Sequence, residues 1–299
     1  MSKRESFLRY IHVVNKLSKA PASFEQIDNY LLEQSERQDY KFNVSKRQFQ
    51  RDLKDIGSIF EIEISYDFSR QVYSINEEEY SEISLRRMEA FDTFNALKIG
   101  ENTSRSIHFE KRRPQGTENL FGLLHAIKQN IRIKFDYQKY WEDQPAQRGV
   151  DPLALKEFKN RWYIIARDQK DSKIKSFALD RLSSLEILKK HFNAPDGFNV
   201  NDYYKNCFGI ISPDDGQQLQ EVVLSFDPYQ GKYIKSLPLH ESQEILIDNE
   251  KELRVRLNIY ITHDFLMEIL SFGEYVKVIQ PDDLIADLRS TFRKALKQY

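Results

Sequence analysis

Cysteine is almost absent from this sequence, in which Cys207 is the single one among 299 residues. One thiol cannot form an intramolecular disulfide or a zinc site built from several cysteines, and its scarcity indicates a reducing compartment. Glycine is also scarce, with 10 residues, and no glycine-rich phosphate loop follows a strand-like run. No apolar run approaches the ~20 residues that cross a membrane, so we expect no membrane partner.

A strong net charge of either sign is missing as well, because the formal net charge is -1. Any surface for nucleic acid must therefore be a local patch. The residues from Met1 to Ser6 lead into an amphipathic pattern with His12, Asn15 and Lys16, which differs from the apolar core of a signal peptide. We therefore expect a cytoplasmic protein.

Signatures of catalysis are missing too. The six histidines lack the spacing of metal ligands, and no serine lies in a nucleophile elbow. His263 and Asp264 lie at a helix start, where the helix dipole favours an acidic residue. The sequence therefore predicts a protein that is not an enzyme, with no catalytic residue, no metal site and no cofactor.

The residues that are present describe a globular chain, with 40% hydrophobic, 13% aromatic and 30% charged residues. The length suits two or three domains. We expect an α+β multidomain fold. Its expected divisions are residues 1–76, 77–116, 117–193, 194–215 and 216–299.

Three helical patterns and two strand-like runs make up residues 1–76. The stretch from Ser23 to Gln26 is typical of a capping box, and the stretch from Ser45 to Gln48 predicts a second one at the start of the third helix. The residues expected to face inward on this third helix are Phe49, Leu53 and Ile56.

The two strand-like runs follow the third helix and predict a β-hairpin. They are Ile62–Ile64 and Val72–Ile75, on either side of the turn Asp67–Arg70. Three helices followed by a hairpin form a winged helix-turn-helix, which is a DNA-binding fold.

The third helix and the hairpin tip carry the candidate DNA surface, because no acidic residue occurs between Lys41 and Arg51. Long donors on the first turns of such a helix reach base edges, while the helix N-terminus favours phosphate. The predicted DNA-binding residues are Ser45, Lys46, Arg47, Gln50, Arg51 and, at the wing tip, Arg70. The alternative is a small three-helix domain with a solvated charged face.

An apolar helical pattern occupies the connector, residues 77–116. It repeats every third position, at Leu85, Met88, Phe91, Phe94 and Leu97. A helix this apolar needs a partner, which is either a neighbouring domain or the same helix of a second subunit. DNA readers with one short recognition helix gain affinity by dimerising over a palindrome, so we expect a homodimer.

Five short strand-like runs follow a short helix within residues 117–193. The runs fall at 131–137, about 150–158, 161–167, 173–179 and 184–189. So many short strands in one domain predict a small SH3- or Sm-like β-barrel. On the run 161–167 we expect alternating faces, with Trp162, Ile164 and Ala166 on one and Arg161, Tyr163, Ile165 and Arg167 on the other.

A family resemblance appears in three segments of this domain. Arg161-Trp162-Tyr163-Ile164, Phe177-Ala178-Leu179-Asp180-Arg181-Leu182 and Asp151-Pro152-Leu153 resemble the WYL-domain family of bacterial transcriptional regulators. The Trp-Tyr-Leu of the family is Trp-Tyr-Ile here, and Ala178 stands where the family often has arginine. The residues considered as a source of the missing charge are Lys134, Arg161, Arg167 and Lys175.

The resemblance implies a bacterial protein whose middle domain senses a nucleic-acid or nucleotide effector in a basic pocket. Arginine suits phosphate, and aromatic side chains suit stacking. The predicted ligand-binding residues are Tyr137, Arg161, Tyr163, Arg167, Ser176 and Arg181. Trp162 is expected in the barrel core, and Asp180 with Arg181 is alternatively an internal ion pair that only shapes the pocket.

The last domain, residues 216–299, has the element order β-α-β-β-α-β with one helix added, which predicts a ferredoxin-like fold. We expect Thr262 to cap the second of its helices and Cys207, in the preceding linker, to be a buried apolar residue. The final helix should follow Pro281 and carry Leu284, Ile285, Leu288, Phe292, Leu296 and Tyr299.

Two segments of this domain, Ser236–His240 and Leu270–Gly273, resemble the C-terminal extension of WYL regulators. The resemblance implies that this domain contributes dimer contacts and covers the neighbouring pocket.

These patterns predict a ligand-responsive, homodimeric transcription regulator, a repressor that binds double-stranded operator DNA at a palindrome. By resemblance alone, the regulated genes are expected to include a phage-defence system. The alternative is a single-stranded nucleic-acid-binding accessory protein whose winged helix makes protein contacts.

Overall fold

The computed structural model describes residues 3–38, 40–75, 86, 90, 116–213 and 216–299. The chain divides into two compact units, residues 1–109 and 110–299. Helices and several antiparallel sheets confirm the α+β class. The five apolar positions of the predicted connector helix lie outside the described residues.

The first unit consists of three helices followed by a hairpin. Helices α1, α2 and α3 span Lys3–Leu17, Phe24–Gln38 and Lys46–Phe60, and strands β1 and β2 span Ile64–Asp67 and Val72–Ile75. The strands are antiparallel, and an isolated bridge joins Tyr73 of β2 to Ala22, which lies between α1 and α2. The hairpin is thereby fastened to the helices.

Local chemistry explains why α2 begins where it does. The backbone N–H of Ser23 donates to Gln26 Oε1 at 2.9 Å, and the N–H of Gln26 donates to Ser23 Oγ at 3.3 Å. This reciprocal pair is the predicted capping box. One apolar face of each helix then meets in a common core that includes Ile11, Val14, Ile27, Leu31, Phe42, Phe49 and Ile56.

Helix α3 differs from its prediction in two details. The N–H of Gln48 donates to Ser45 Oγ at 3.3 Å, but the Gln48 amide turns to Asp52 Oδ1 at 3.0 Å, so only half of the second capping box forms. The buried positions of α3 are Phe49, Asp52, Ile56 and Phe60, and the predicted inward residue Leu53 is only half-buried. Leu53 still packs against the core, as predicted, and the acidic residue Asp52 is buried in the core beside it.

The second unit begins with helix α4 and a five-stranded antiparallel sheet. Helix α4 spans Leu120–Lys128, and strands β3 to β7 span Ile131–Tyr137, Ala146–Phe158, Arg161–Asp168, Ile174–Ala178 and Leu182–His191. The strand order is β6-β5-β4-β3-β7. Strand β4 starts earlier than predicted, and a three-residue 3₁₀ turn, Leu179–Arg181, separates β6 from β7.

The faces of β5 alternate as predicted. Ile164 and Ala166 lie in the core beneath α4, and Trp162 packs half-buried against the same core. Tyr163 and Ile165 lie on the opposite face. That second face is also buried, because a different segment, residues 198–211, covers it.

The connector segment is residues 198–211 and contains helix α5, Val200–Tyr204. Tyr204 and Cys207 of the segment pack against Tyr163 and Ile165 of β5. Cys207 is buried, as predicted, and burial raises the pKa of its thiol.

A four-stranded antiparallel sheet with three helices completes the second unit. Its elements are β8 Gln220–Phe226, α6 Pro228–Ser236, β9 Glu244–Asp248, β10 Leu253–Ile259, α7 His263–Ser271, β11 Val276–Gln280 and α8 Asp282–Leu296. The strand order is β11-β8-β10-β9. Alternate residues of β8 and β10 form its core together with Phe265, Ile269, Leu284 and Leu288.

One prediction for this region is wrong in detail, and the last helix is buried at only one end. The Thr262 hydroxyl does not cap α7; it donates to the carbonyl of Phe208 at 3.5 Å, because Thr262 is buried against the connector segment. On α8, Leu284 and Leu288 are buried, whereas Phe292, Leu296 and Tyr299 are exposed. The outer end of α8 therefore extends past the core that anchors its first turns.

Candidate nucleic-acid interface and candidate ligand site

The first two turns of α3 carry four exposed polar side chains. These are the predicted DNA-binding residues Lys46, Arg47, Gln50 and Arg51, and Ser45 at the N-cap is exposed as well. The first turn of α3 contains no acidic residue. Long donors next to a helix N-terminus match the requirements for contacts to base edges and phosphate.

Two contacts set the orientation of α3 within the first unit. Arg9 of α1 donates from Nε to Asp52 Oδ2 at 2.7 Å, with both side chains fully buried. Gln50 donates from Nε2 to the Tyr73 hydroxyl at 2.8 Å, which links the exposed face of α3 to β2. The candidate DNA surface is therefore held on two sides, by α1 and by the hairpin.

The hairpin tip places Arg70 in solvent. Asp67 Oδ1 accepts the backbone N–H groups of Ser69 at 2.8 Å and of Arg70 at 3.1 Å, which fixes the turn. Gln71 follows with a positive φ of 54°. The guanidinium of Arg70 is thus carried on an ordered turn.

In the second unit, four of the six predicted ligand residues come together. Tyr137, Arg161, Tyr163 and Arg181 lie around the 3₁₀ turn Leu179–Arg181. The Tyr137 hydroxyl accepts the N–H of Ala178 at 3.2 Å, and the Arg181 guanidinium lies 5.2 Å from the Tyr137 ring centre.

Asp180 pairs with Arg161 in this cluster, with NH1 and Oδ2 at 3.5 Å. Arg161 is the more accessible partner, with 48% of its side chain exposed against 15% for Asp180. Two buried atoms, Asp180 Oδ1 and Arg181 Nε, have no hydrogen-bond partner among the described residues. Buried polar atoms are normally paired, so these two atoms have hydrogen-bonding capacity that the described residues leave unused.

Burial and charge both act on the tyrosines of the cluster. Burial raises the pKa of Tyr137, although the nearby Arg181 opposes the shift. Burial likewise raises the pKa of Tyr163, against the opposing effect of Arg161. Both hydroxyls therefore keep their protons at neutral pH and can donate to an anionic ligand, while Asp180 raises the pKa of Arg161.

Arg167 lies at a different place on the sheet. Its NH2 donates to Asp151 Oδ2 at 2.8 Å and to the carbonyl of Asn193 at 3.0 Å. Asp151 is buried and also accepts Arg132 Nε at 2.7 Å. Arg167 thus holds a buried carboxylate, away from the other candidates.

Ser176 is also engaged elsewhere, because its hydroxyl donates to the carbonyl of Ile210 at 3.1 Å and so fastens the connector segment to β6. Of the residues considered for the charge missing at Ala178, Lys175 pairs with Asp168 at 2.8 Å and with Asp171. Arg161 reaches the 3₁₀ turn Leu179–Arg181 through its pair with Asp180.

Two residues near the cluster were missed in the sequence. Tyr140 covers the other side of Arg181, with its ring centre 4.9 Å from the guanidinium carbon. Asp264 of α7 accepts the N–H groups of Ile210 at 2.9 Å and Ile211 at 3.2 Å. An aromatic residue in a polar loop was a usable signal for Tyr140, whereas Asp264 carried only its position at a helix start.

Neither a membrane helix nor a metal cluster occurs in the part of the chain that the structure describes. No helix there is both long enough and apolar enough to cross a bilayer. No three histidine, cysteine, aspartate or glutamate side chains are grouped there to hold a metal ion.

Two domain families match the chain: the WYL domain over residues 118–187 and the WCX domain over residues 218–296. Among solved structures, the chain is similar to the proteasome accessory factor B/C (PafBC) of Arthrobacter aurescens, with 16% identity and a TM-score of 0.34. That match covers 95% of this chain and 45% of PafBC, so this chain spans less than half its length.

A second similar structure is described as a CRISPR Cas-related protein, with 12% identity, a TM-score of 0.40, and coverage of 86% of this chain and 74% of that one. No curated protein matches the chain.

The two family matches coincide with the two sheets of the second unit. The five-stranded sheet, with the cluster around Asp180 and Arg181, lies in the region that matches the WYL domain, and the four-stranded sheet lies in the region that matches the WCX domain. The chain therefore contains a WYL domain followed by a WCX domain.

Proposed function

We propose that this protein is a ligand-responsive transcription regulator that binds operator DNA through its first unit. The observation that carries the proposal is the exposed face of α3, where Lys46, Arg47, Gln50 and Arg51 stand together at a helix N-terminus without an acidic residue in the first turn. A neutral chain that concentrates cationic donors on this one helix has the local patch that DNA binding requires.

The proposed folds are a winged helix-turn-helix, an SH3- or Sm-like barrel and a ferredoxin-like domain. Three helices and a hairpin support the first. A single antiparallel sheet of five strands supports the second, and the element order β8-α6-β9-β10-α7-β11 supports the third.

The proposed effector is a nucleic acid or a nucleotide bound at Tyr137, Arg161, Tyr163 and Arg181. Guanidinium groups bind phosphate, and the unpaired Arg181 Nε offers a further donor. Arg167 and Ser176, which were also predicted to bind the ligand, are proposed to hold the fold around it.

Regulation is proposed to occur in a homodimer that represses from a palindromic site. A ligand shifts such an equilibrium only if it binds one dimer geometry more tightly than the other. The protein is also proposed to be cytoplasmic and to lack enzymatic activity. By the family resemblance alone, it is proposed to control a phage-defence system.

The second candidate function is a single-strand-binding accessory protein whose first unit contacts protein. The exposed Tyr140 and Trp141 beside the arginine cluster favour it, because aromatic and cationic side chains together bind single strands.

The deciding experiment is a mobility-shift assay on the DNA upstream of the gene, titrated with short single-stranded oligonucleotides and with cyclic nucleotides. Protection of an inverted repeat, released or strengthened by one of these effectors, supports the regulator. Tight single-strand binding without any binding to the upstream duplex would overturn it in favour of the accessory protein.

A further inference from the structure

Two large aromatic side chains are exposed side by side in the loop between β3 and β4. The side chain of Tyr140 is 69% exposed and that of Trp141 is 77% exposed. The sequence has only two tryptophans, and the other, Trp162, packs against the barrel core. A tryptophan left almost wholly in solvent loses the burial that normally stabilises it, so its position calls for a binding role.

The loop holds these rings in place before any ligand arrives. The Gln138 amide donates to the carbonyl of Lys139 at 2.8 Å and also to the carbonyl of Glu142. Lys139 Nζ pairs with Glu142 Oε1 at 2.6 Å. An ordered loop loses little conformational freedom on binding, which favours affinity.

Cationic groups lie on both sides of the two rings. The Arg181 guanidinium is stacked between Tyr137 and Tyr140, at 5.2 Å and 4.9 Å from the ring centres. On the other side, Lys139 Nζ lies 5.9 Å from the ring centre of Trp141. Each of the two rings therefore lies close to a cationic side chain, and rings combined with positive charges are typical of a surface that tracks a phosphate backbone while bases stack.

The loop is also fastened to the candidate ligand site. The N–H of Gln138 donates to the carbonyl of Arg181 at 3.1 Å. Tyr140 contributes, after Asp180, to the raised pKa of Arg161 through a side-chain hydrogen bond. A ligand whose phosphate lies at Arg161 and Arg181 therefore has the Tyr140 ring directly beside it, and Trp141 is the next residue of the loop.

We propose that Tyr140 and Trp141 form a stacking platform that makes the site select an oligonucleotide strand over a mononucleotide. One phosphate binds at Arg161 and Arg181, and the bases of the neighbouring nucleotides stack on the rings of Tyr140 and Trp141. The inference rests on the proposed nucleic-acid effector of the same site and narrows it to a ligand with consecutive bases.

The test uses the full chain with Arg47→Ala and Arg51→Ala, so that the labelled oligonucleotide cannot bind to α3. Binding of a fluorescein-labelled oligothymidylate of about ten nucleotides is measured by anisotropy, a length within the usual range for single-strand sites. Thymidine monophosphate competes as the probe that keeps the phosphate and one base. Trp141→Ala should weaken oligonucleotide binding between about 5-fold and about 150-fold, which is the loss expected for one stacked base, and leave competition by the monophosphate unchanged.

Two controls make the result specific. Tyr229→Ala removes a tyrosine that is 67% exposed on α6 and should leave oligonucleotide binding unchanged. In Trp162→Phe, the remaining tryptophan is Trp141, so the oligonucleotide should quench its fluorescence and the monophosphate should not.

Three results would overturn the inference. Equal oligonucleotide affinity with and without Trp141 removes the platform but leaves a nucleotide effector in place, provided that the monophosphate still competes. Equal affinities for the monophosphate and the oligonucleotide would also overturn the platform and leave a nucleotide effector in place. Failure of both probes to bind overturns the platform together with the proposed effector class, and a loop that captures a protein would be compatible with that outcome.

Discussion

Arg9 and Asp52 form an ion pair in the centre of the first unit, with Nε and Oδ2 2.7 Å apart and neither side chain accessible to solvent. The Arg9 NH2 donates to Asp52 Oδ1 at 3.0 Å, so the pair is bidentate. Gln48 on the first turn of α3 donates to the same carboxylate. The candidate recognition helix is thus positioned by a charge pair inside the core.

Removal of one partner of this pair should destabilise the first unit strongly. Asp52→Ala leaves a buried guanidinium without its counter-charge, which typically costs about 3–5 kcal/mol. Arg9→Met with Asp52→Leu removes both charges and should cost much less. Urea unfolding followed by circular dichroism distinguishes the two; equal losses for the single and the double variant would contradict the buried-pair interpretation.

Arg47→Ala with Arg51→Ala should abolish operator binding and leave the fold intact, because both side chains are exposed on α3. At salt concentrations where residual binding is measurable, the slope of log K against log salt should fall by up to about 2, since each lost phosphate contact removes about 0.9. Lys189→Ala with Lys190→Ala removes the same charge from exposed positions of β7 and serves as the matched control. Unchanged operator affinity in the α3 variant would show that another surface reads the DNA.

Arg161→Ala with Arg181→Ala should leave operator binding in place and remove the response to the effector. Arg167→Ala should instead keep the response to the effector and lower the stability by about 1–3 kcal/mol, because Arg167 pairs with the buried Asp151. Thermal unfolding and effector titration of the same samples separate the two roles. If Arg167→Ala folds normally but no longer responds to the effector, Arg167 binds the ligand after all.

Asp168 should make the second unit sensitive to acid. Burial alone would raise the pKa of Asp168, but hydrogen bonds from Lys175 and the N–H of Lys170 outweigh burial and hold it below the ordinary value of 3.8. A lowered pKa in the folded state means that its stabilisation is present above the unfolded pKa and is lost as pH falls through the folded pKa. Urea midpoints measured from pH 7 down to pH 3 should therefore decline less steeply in Asp168→Asn, whereas Asp196→Asn at an exposed linker position should follow the unmodified protein.

Gly209 should tolerate no side chain, because its φ is +88° and an added Cβ would lie 2.4 Å from Asp264 Oδ2. Gly209→Ala should therefore detach Asp264 from Ile210 and destabilise the second unit by more than the about 1–2 kcal/mol of a left-handed alanine. Gly197 has a φ of +68° with nothing within 4 Å, so Gly197→Ala measures the backbone cost alone. Labelling of the buried Cys207 thiol should accelerate in Gly209→Ala and stay slow in Gly197→Ala.

Local patterns predicted most of the architecture. The capping box at Ser23, the hairpin and the alternation along β5 all depend on neighbouring residues, and each is confirmed, although the first hairpin strand is Ile64–Asp67 and not Ile62–Ile64. Helical periodicity did not predict the burial of Asp52. An acidic residue is expected at the surface, and its burial depends on the pair with Arg9, which lies 43 positions away in the sequence.

The sequence predicted a cluster of tyrosine and arginine side chains in this domain, but only some of the predicted residues lie in it. Tyr137 lies near the turn Leu179–Arg181 because β3 pairs with β7, which starts directly after the turn, at Leu182. Tyr163 and Arg161 lie near it because β5 pairs with β6, which ends directly before the turn, at Ala178. Arg167 shares a face with Tyr163 by alternation, but its pairing with Asp151 depends on the register between β4 and β5. The connector segment that buries this face, and the role of Asp264 in holding it, required the tertiary structure.

Gly116 lies against the turn that carries Asp180 and Arg181. Its φ is +93°, and an added Cβ would come within 2.4 Å of the carbonyl oxygen of Leu179. The clearance between the two segments is thus smaller than one methyl group, and the turn cannot advance toward Gly116 without displacing it. A displacement of the turn Leu179–Arg181 toward Gly116 would therefore have to move the residues that lead into the WYL domain.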